Sequence, residues 1–157
     1  MKYIITHCQK TLGQQDVLLV LKDKPEWQKG RLNLPGGKVE EGESVEEAAA
    51  RELVEETGYE PLFPPKQMGI LKDGDAEIFC MKAVAFVRKP PNPRPEETQE
   101  VFWMPWHKAD NDARLIPNLR TIIPLIFLGV QGWVIKDEYR ACSEKHHPIE
   151  MLLPTRL

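Results

Sequence analysis

One stretch of this chain spells out a helix from start to stop. Ser44-Val45-Glu46-Glu47 has the form of a capping box, in which a serine hydroxyl and the glutamate three residues on satisfy each other's backbone N–H groups. Val45, Ala49 and Leu53 recur at helical spacing, and Gly58 supplies a left-handed stop. The pattern predicts a helix over residues 45–57. Just before it, Pro35-Gly36-Gly37 forces a bend in an extended segment and lets the backbone approach a neighbour or ligand closely.

The rest of the chain reads mostly as strands. Residues 3–8 and 17–21 are aliphatic or β-branched, and the turn-like residues 11–14 between them suggest a hairpin. Residues 67–71 and 77–87 form a second expected hairpin around Asp73-Gly74-Asp75. Residues 88–98 carry Pro90, Pro91, Pro93 and Pro95 and predict an extended loop. A strand over residues 101–104 ends at Pro105, a helix over 118–128 is kinked or restarted by Pro124, and residues 132–137 close with a strand. The tail lacks periodicity, so the expected division is a domain over residues 1–140 and an irregular or weakly helical extension over 141–157. Strands interleaved with two helices give an α/β or α+β layer fold around one sheet system.

Composition narrows the class. At 157 residues the chain suits one domain, and 41% apolar with 29% charged residues excludes disorder as the main state. A formal charge of -3 argues against a protein that wraps nucleic-acid backbone. The longest apolar run, residues 122–130, is interrupted by Pro124 and Gly129, so no membrane partner is expected. Cys8, Cys80 and Cys142 show no CxxC spacing and read as reduced thiols; with no leader pattern at the N-terminus, the cytoplasm is the expected compartment. His146 and His147 have no third ligand at suitable spacing and read as a solvated tail.

The chemistry lies on the first helix. Glu52, Glu55 and Glu56 stand at i, i+3 and i+4, so their carboxylates share one arc beside the apolar line and repel one another. Arg51 can pair with Glu55 and with Glu47, but one guanidinium does not offset three carboxylates. A divalent cation does: hard oxygen ligands favour Mg²⁺, with Mn²⁺ as a substitute, and such ions bridge readily to phosphates. Gly37 adds a carbonyl unobstructed by a side chain. The plainer reading is a solvated acidic face.

Residues 37–59 decide between the two. They run Gly37, five residues, Glu43, seven residues, then Arg51-Glu52-Leu53-Val54-Glu55-Glu56-Thr57-Gly58-Tyr59. This resembles the Nudix box position for position, except that Tyr59 stands where the pattern prefers Ile, Leu or Val. The resemblance implies an α/β/α sandwich with a central mixed sheet, and hydrolysis of a nucleoside diphosphate linked to another moiety. It implies Glu52, Glu55 and Glu56 as metal ligands, Gly37 as a carbonyl ligand, and Glu43 and Arg51 as supports that hold the loop and helix together by ion pairing. Glu52 is the first choice for general base. A further ligand is expected from the loop before Trp103, where Glu97 stands near Glu96 and Glu100.

Substrate is narrowed by elimination. Position 73 is Asp where the ADP-ribose branch has proline, residues 74–76 lack the tyrosine of the dinucleoside-polyphosphate branch, and the long motif of the NADH branch is absent. The chain most resembles the branch that cleaves nucleoside triphosphates, which includes enzymes that sanitise oxidised dGTP. Asn33 and Asn118 fall where those enzymes read the base, although Asn118 and Leu119 replace an acidic pair; Lys38 is a further substrate-binding candidate, and Trp27 and Trp106 could stack on a base. The expected partner is a small nucleotide, with a homodimer as one candidate assembly. Two alternatives stay open: cleavage of a nucleotide sugar, dinucleotide cofactor or RNA cap, and a non-catalytic nucleotide-binding module.

Overall fold

The computed structural model describes residues 1–10, 15–86, 100–136 and 150–152. Its topology turns on the first strand, β1 (Lys2–Gln9), because both edges of that strand are taken. On one side it pairs in parallel with β6 (Ala76–Phe86), from Lys2 opposite Glu77 to Gln9 opposite Val84. On the other, residues 35–39 run along it: Ile4 N–H donates to the Gly37 carbonyl (2.9 Å), Thr6 N–H to that of Pro35 (2.8 Å), and Val39 N–H to that of Lys2 (3.0 Å). The hairpin expected between the first two strands therefore does not form, since no edge of β1 is left for it. Instead β2 (Asp16–Leu21) lies in a separate antiparallel sheet, between β3 (Leu32–Asn33) and β7 (Val101–Pro105).

The second expected hairpin is present. Here β5 (Lys66–Asp73) runs antiparallel to β6, and Gly74 at φ +57° makes the turn that a side chain would strain. The larger sheet continues through β8 (Trp133–Lys136), parallel to β5, and β9 (Glu150–Leu152), antiparallel to β8; β4 (Glu60–Pro61) attaches to β6. The sheet is thus mixed, as expected. Residues 150–152 differ from the irregular tail read from sequence, because their partner strand offers them a free edge that no local pattern reveals. Residues 88–98, Cys142, His146 and His147 lie outside the described residues.

Helices cover both faces. The first, α1 (Val45–Thr57), has the predicted bounds and packs Ala48, Ala49 and Leu53 against Ile4 and Cys8 of β1 and Met81, Ala83 and Ala85 of β6. A one-turn helix α2 (Trp106–Ala109) precedes α3 (Leu119–Phe127), whose Leu119, Ile122, Ile123 and Ile126 are fully buried with Val17, Leu19, Leu32, Leu71 and Trp133. Leu18 belongs to the α1 side and its neighbours Val17 and Leu19 to the α3 side, the period of two that a strand covered on both faces requires. Cys8 and Cys80 are buried and unpaired. No helix among the described residues is long and apolar enough to cross a membrane.

Candidate active site

The helix that carries the glutamates is anchored before any of them is considered. Ser44 Oγ accepts from Glu47 N–H (3.1 Å) and Ser44 N–H donates to Glu47 Oε2 (2.8 Å), while Gly58 at φ +73° donates to the Val54 carbonyl (2.8 Å). Glu47 is therefore spent on the cap, which corrects the Glu47–Arg51 pair that spacing allowed.

Arg51 is the hub. Its Nε and Nη2 donate to both oxygens of Glu43 (2.7 and 3.0 Å), and Nη1 reaches Glu52 Oε1 (2.8 Å) and Glu55 Oε2 (3.1 Å). Nη2 also donates to the Lys38 carbonyl (3.0 Å). A planar guanidinium has donors for all of these, and an ammonium does not. One side chain thus ties the loop at Lys38 and Glu43 to two glutamates of the helix. The Glu43 carboxyl is held below its ordinary range, first by the hydrogen bond from Arg51.

Glu56 takes a different cation. Lys22, which follows β2, pairs its Nζ with Glu56 Oε1, and Gly36 N–H donates to Glu56 Oε2 (2.9 Å). Lys22 Nζ also lies 3.4 Å from the Gly36 carbonyl. Sequence reasoning missed Lys22, whose one visible signal was a lysine ending an aliphatic strand. Only two cations, Arg51 and Lys22, are bonded to the three helix carboxylates and Glu43, so the local deficit that called for a divalent ion persists.

Gly37 and Glu52 fit each other. A Cβ on Gly37 would fall on the Glu52 carboxylate, so only glycine leaves that group its place. Burial, with the neighbouring charges of Glu56 and Glu55, pushes the Glu52 carboxyl above its ordinary range against the pull of Arg51. The Gly37 carbonyl already accepts from Ile4 N–H, which leaves its second lone pair for any other ligand. Among the described residues no three Asp, Glu, His or Cys side chains stand together as a finished metal cage. The donor set nevertheless suits a hard cation: carboxylate and carbonyl oxygens around a backbone cradle that a Cβ would fill. Glu97 and Glu96 lie outside the described residues, and Glu100 is exposed, with its carbonyl accepting from Leu21 N–H (2.8 Å).

These groups form one wall of a cleft of about 780 Å³. Lys22, Lys38, Arg51 and the three helix glutamates line it, and so do Trp27, Gln28, Asn33, Ile116 and Asn118. The structure thus gathers the sequence candidates Gly37, Lys38, Asn33, Asn118, Arg51, Glu52, Glu55 and Glu56 around one space. Glu43 braces it through Arg51. Trp106 is not among the residues lining this cleft; its ring meets Phe127 at 6.3 Å in the main core. Asn33 is only 8% exposed, and both ends of its amide are bonded within the chain, so it is no free reader of a base. Leu119 is core. Tyr59 is half-buried and meets Trp103 edge-on at 5.5 Å, a packing role that explains how an aromatic is accommodated there.

A family model described as the NUDIX domain matches residues 6–126. The chain belongs to the Nudix domain family. A Bacillus subtilis (strain 168) protein named "Putative 8-oxo-dGTP diphosphatase" is 55% identical over 47 residues, 30% of this chain and 28% of its own. The Mus musculus "ADP-sugar pyrophosphatase" is 46% identical over 56 residues, 36% of this chain and 26% of its own. The chain therefore spans little more than a quarter of the length of these two curated relatives. The crystal structure of a MutT protein from Bacillus halodurans has a TM-score of 0.62 at 21% identity, covering 86% of this chain and 88% of that one, a likeness of fold.

Proposed function

We propose that the protein is a Mg²⁺-dependent pyrophosphohydrolase that cleaves a nucleoside triphosphate to monophosphate and pyrophosphate. The observation that carries this is the cleft itself: a wall of Glu52, Glu55 and Glu56 with Lys22, Lys38 and Arg51, and an aromatic and three amides along the same space. Glu52, Glu55 and Glu56, with the Gly37 carbonyl and with Glu97 from the loop before Trp103, would hold the ion. When bound it would neutralise pyrophosphate charge and favour attack by water at phosphorus.

The chain's own residues do the rest. Arg51 keeps the Glu52 and Glu55 carboxylates side by side against their repulsion, and Glu43 keeps Arg51 in place. Lys22 and Gly36 N–H fix Glu56. Glu52 is the first choice to accept the proton of the attacking water. Trp27 and Asn118 line the same cleft and would meet the base, with Lys38 a cation for phosphate. Buried, unpaired Cys8 and Cys80 suit a reducing compartment, and the proposal places the chain in the cytoplasm.

Release of pyrophosphate and phosphate, measured with Mg²⁺ across nucleoside triphosphates, ADP-ribose, nucleotide sugars, NADH, dinucleoside polyphosphates and capped RNA, tests the proposal. Turnover of triphosphates that is lost in Glu55→Gln supports it. Turnover confined to a nucleotide sugar or ADP-ribose replaces the substrate, and no turnover of any compound leaves a binding module.

A further inference from the structure

One amide in the cleft has a polarity that its surroundings dictate. Leu34 N–H donates to Asn33 Oδ1 at 2.8 Å, and since a backbone N–H has nothing to accept with, the Asn33 oxygen must face it. Asn33 Nδ2 is thereby turned toward Gln28, and the atom it meets at 3.0 Å must be an acceptor, Gln28 Oε1. That leaves Nε2, with two N–H donors, as the outer end of Gln28; it has no hydrogen-bond partner among the described residues. Gln28 closes the 3-10 turn Glu26–Gln28, is half-buried, and lines the cleft with Trp27 and Asn118. Three groups in series, the Leu34 N–H, the Asn33 amide and the Gln28 amide, thus present a donor of set direction.

Resting on the reading of the cleft as a nucleotide site, we propose that Gln28 reads the base and that Asn33 is a positioning residue acting through it. The ligand class is a nucleotide whose base offers a carbonyl acceptor at the edge Gln28 meets, as guanine, hypoxanthine and uracil do, over one that offers an exocyclic amine there, as adenine and cytosine do. An amine would face Nε2 donor to donor. Gln28 cannot turn over to suit it without setting its own NH₂ against that of Asn33. Asn118 imposes no such rule, because its side chain is bonded to nothing among the described residues and is free to turn either way.

The test compares inosine with adenosine nucleotides, which differ at position 6 of the purine. Equilibrium binding of the two monophosphates, followed by tryptophan fluorescence, reads the base without hydrolysis; kcat/KM for the two triphosphates with Mg²⁺ reads it with hydrolysis. The wild type is expected to favour inosine about tenfold, the scale of one neutral hydrogen bond set against an unpaired donor. Gln28→Glu keeps the acceptor for Asn33 and replaces the outer donor by an oxygen, so the ratio swings toward adenosine. Asn33→Asp keeps the bond from Leu34 but removes the donor to Gln28, which then turns over and presents Oε1; the ratio swings the same way. In a Gln28→Ala background, Asn33→Asp leaves the ratio where Gln28→Ala alone puts it.

A ratio that Asn33→Asp still shifts without Gln28 would make Asn33 a direct reader and overturn the proposal. An equal fall for both nucleotides in Asn33→Asp would make its role merely structural, with the same result. If Asn33→Asp does not fold, Gln28→Glu at its half-buried position decides alone, and an unchanged ratio there overturns the proposal. Wild-type hydrolysis with no inosine preference defeats the base reading and leaves the hydrolase standing. A binding preference without any hydrolysis does the reverse.

Discussion

Lys22 Nζ and Glu56 Oε1 form an ion pair whose side chains are only 7% and 10% exposed. The pair ties the end of β2 to the glutamate face of α1, and Gly36 N–H satisfies the second oxygen of Glu56. Removing one member leaves a charge buried without its partner. Lys22→Met should therefore destabilise the fold by about 3 to 5 kcal/mol, the usual result of breaking a buried pair. Urea unfolding measures this, and the Lys22→Met/Glu56→Gln double variant should recover more than half of the loss.

Gly37→Ala introduces a methyl group where the Glu52 carboxylate lies. No positive φ is involved, so backbone strain is absent and the effect should fall on the site. Turnover is expected to drop about 100-fold, as for other displacements of this size, with a melting temperature within a few degrees of wild type. Parallel steady-state kinetics and thermal melts would show it; equal kinetics in the two proteins would remove Glu52 from the chemistry.

Arg51→Lys keeps the charge and loses the fork. One ammonium cannot serve Glu43, Glu52, Glu55 and the Lys38 carbonyl together. The variant should lose about 1 to 3 kcal/mol of stability and a large part of kcat, while Glu43→Gln, which keeps one acceptor for Arg51, should be milder in both. Denaturation and kinetics on the pair rank them.

His7 provides a pH dependence. Burial, then the charge of Lys82, lowers its pKa from 6.5 to about 3, and neither ring nitrogen has a hydrogen-bond partner among the described residues. The unfolded chain takes up a proton below about pH 6.5 and the folded one only near 3, so stability present above 6.5 is lost as pH falls through that window. The steepest contribution is about 1.4 kcal/mol per pH unit. His7→Phe, placed against the Phe127 ring that His7 meets at 4.8 Å, should flatten this part of the curve in melts between pH 7 and 4.

Glu97→Gln is expected to lower turnover at limiting Mg²⁺ with little change in melting temperature. A metal dependence identical to wild type would remove Glu97 from the site.

What the sequence made legible was local. The bounds of α1 follow from Ser44, Glu47 and Gly58, all within the helix or one residue outside it, and the β5–β6 hairpin follows from three turn residues. The glutamate face was legible for the same reason, being set by spacing on one helix. What escaped was tertiary. The parallel partner of β1 lies far along the chain, and its other edge is closed by residues 35–39, which no strand pattern marks. Lys22 gains its place only because β2 ends where α1 passes. The bond from Asn33 to Gln28 depends on the turn at Gln28, which no periodicity announces.

Residues 35–39 have one more consequence. The carbonyls of Pro35 and Gly37 receive the N–H groups of Thr6 and Ile4, so the glycine bend is stitched along the outer edge of β1, the end strand of the larger sheet, rather than draped over it. Such a bend has no private route to melting: to open, it must give up bonds that β1 also needs. The Ile4 and Thr6 amide protons that the bend holds should exchange with solvent on the timescale of the whole molecule, and heat should extinguish activity and secondary structure at one temperature. A loop-borne site would fade before its scaffold; this one is part of the scaffold's cooperative unit.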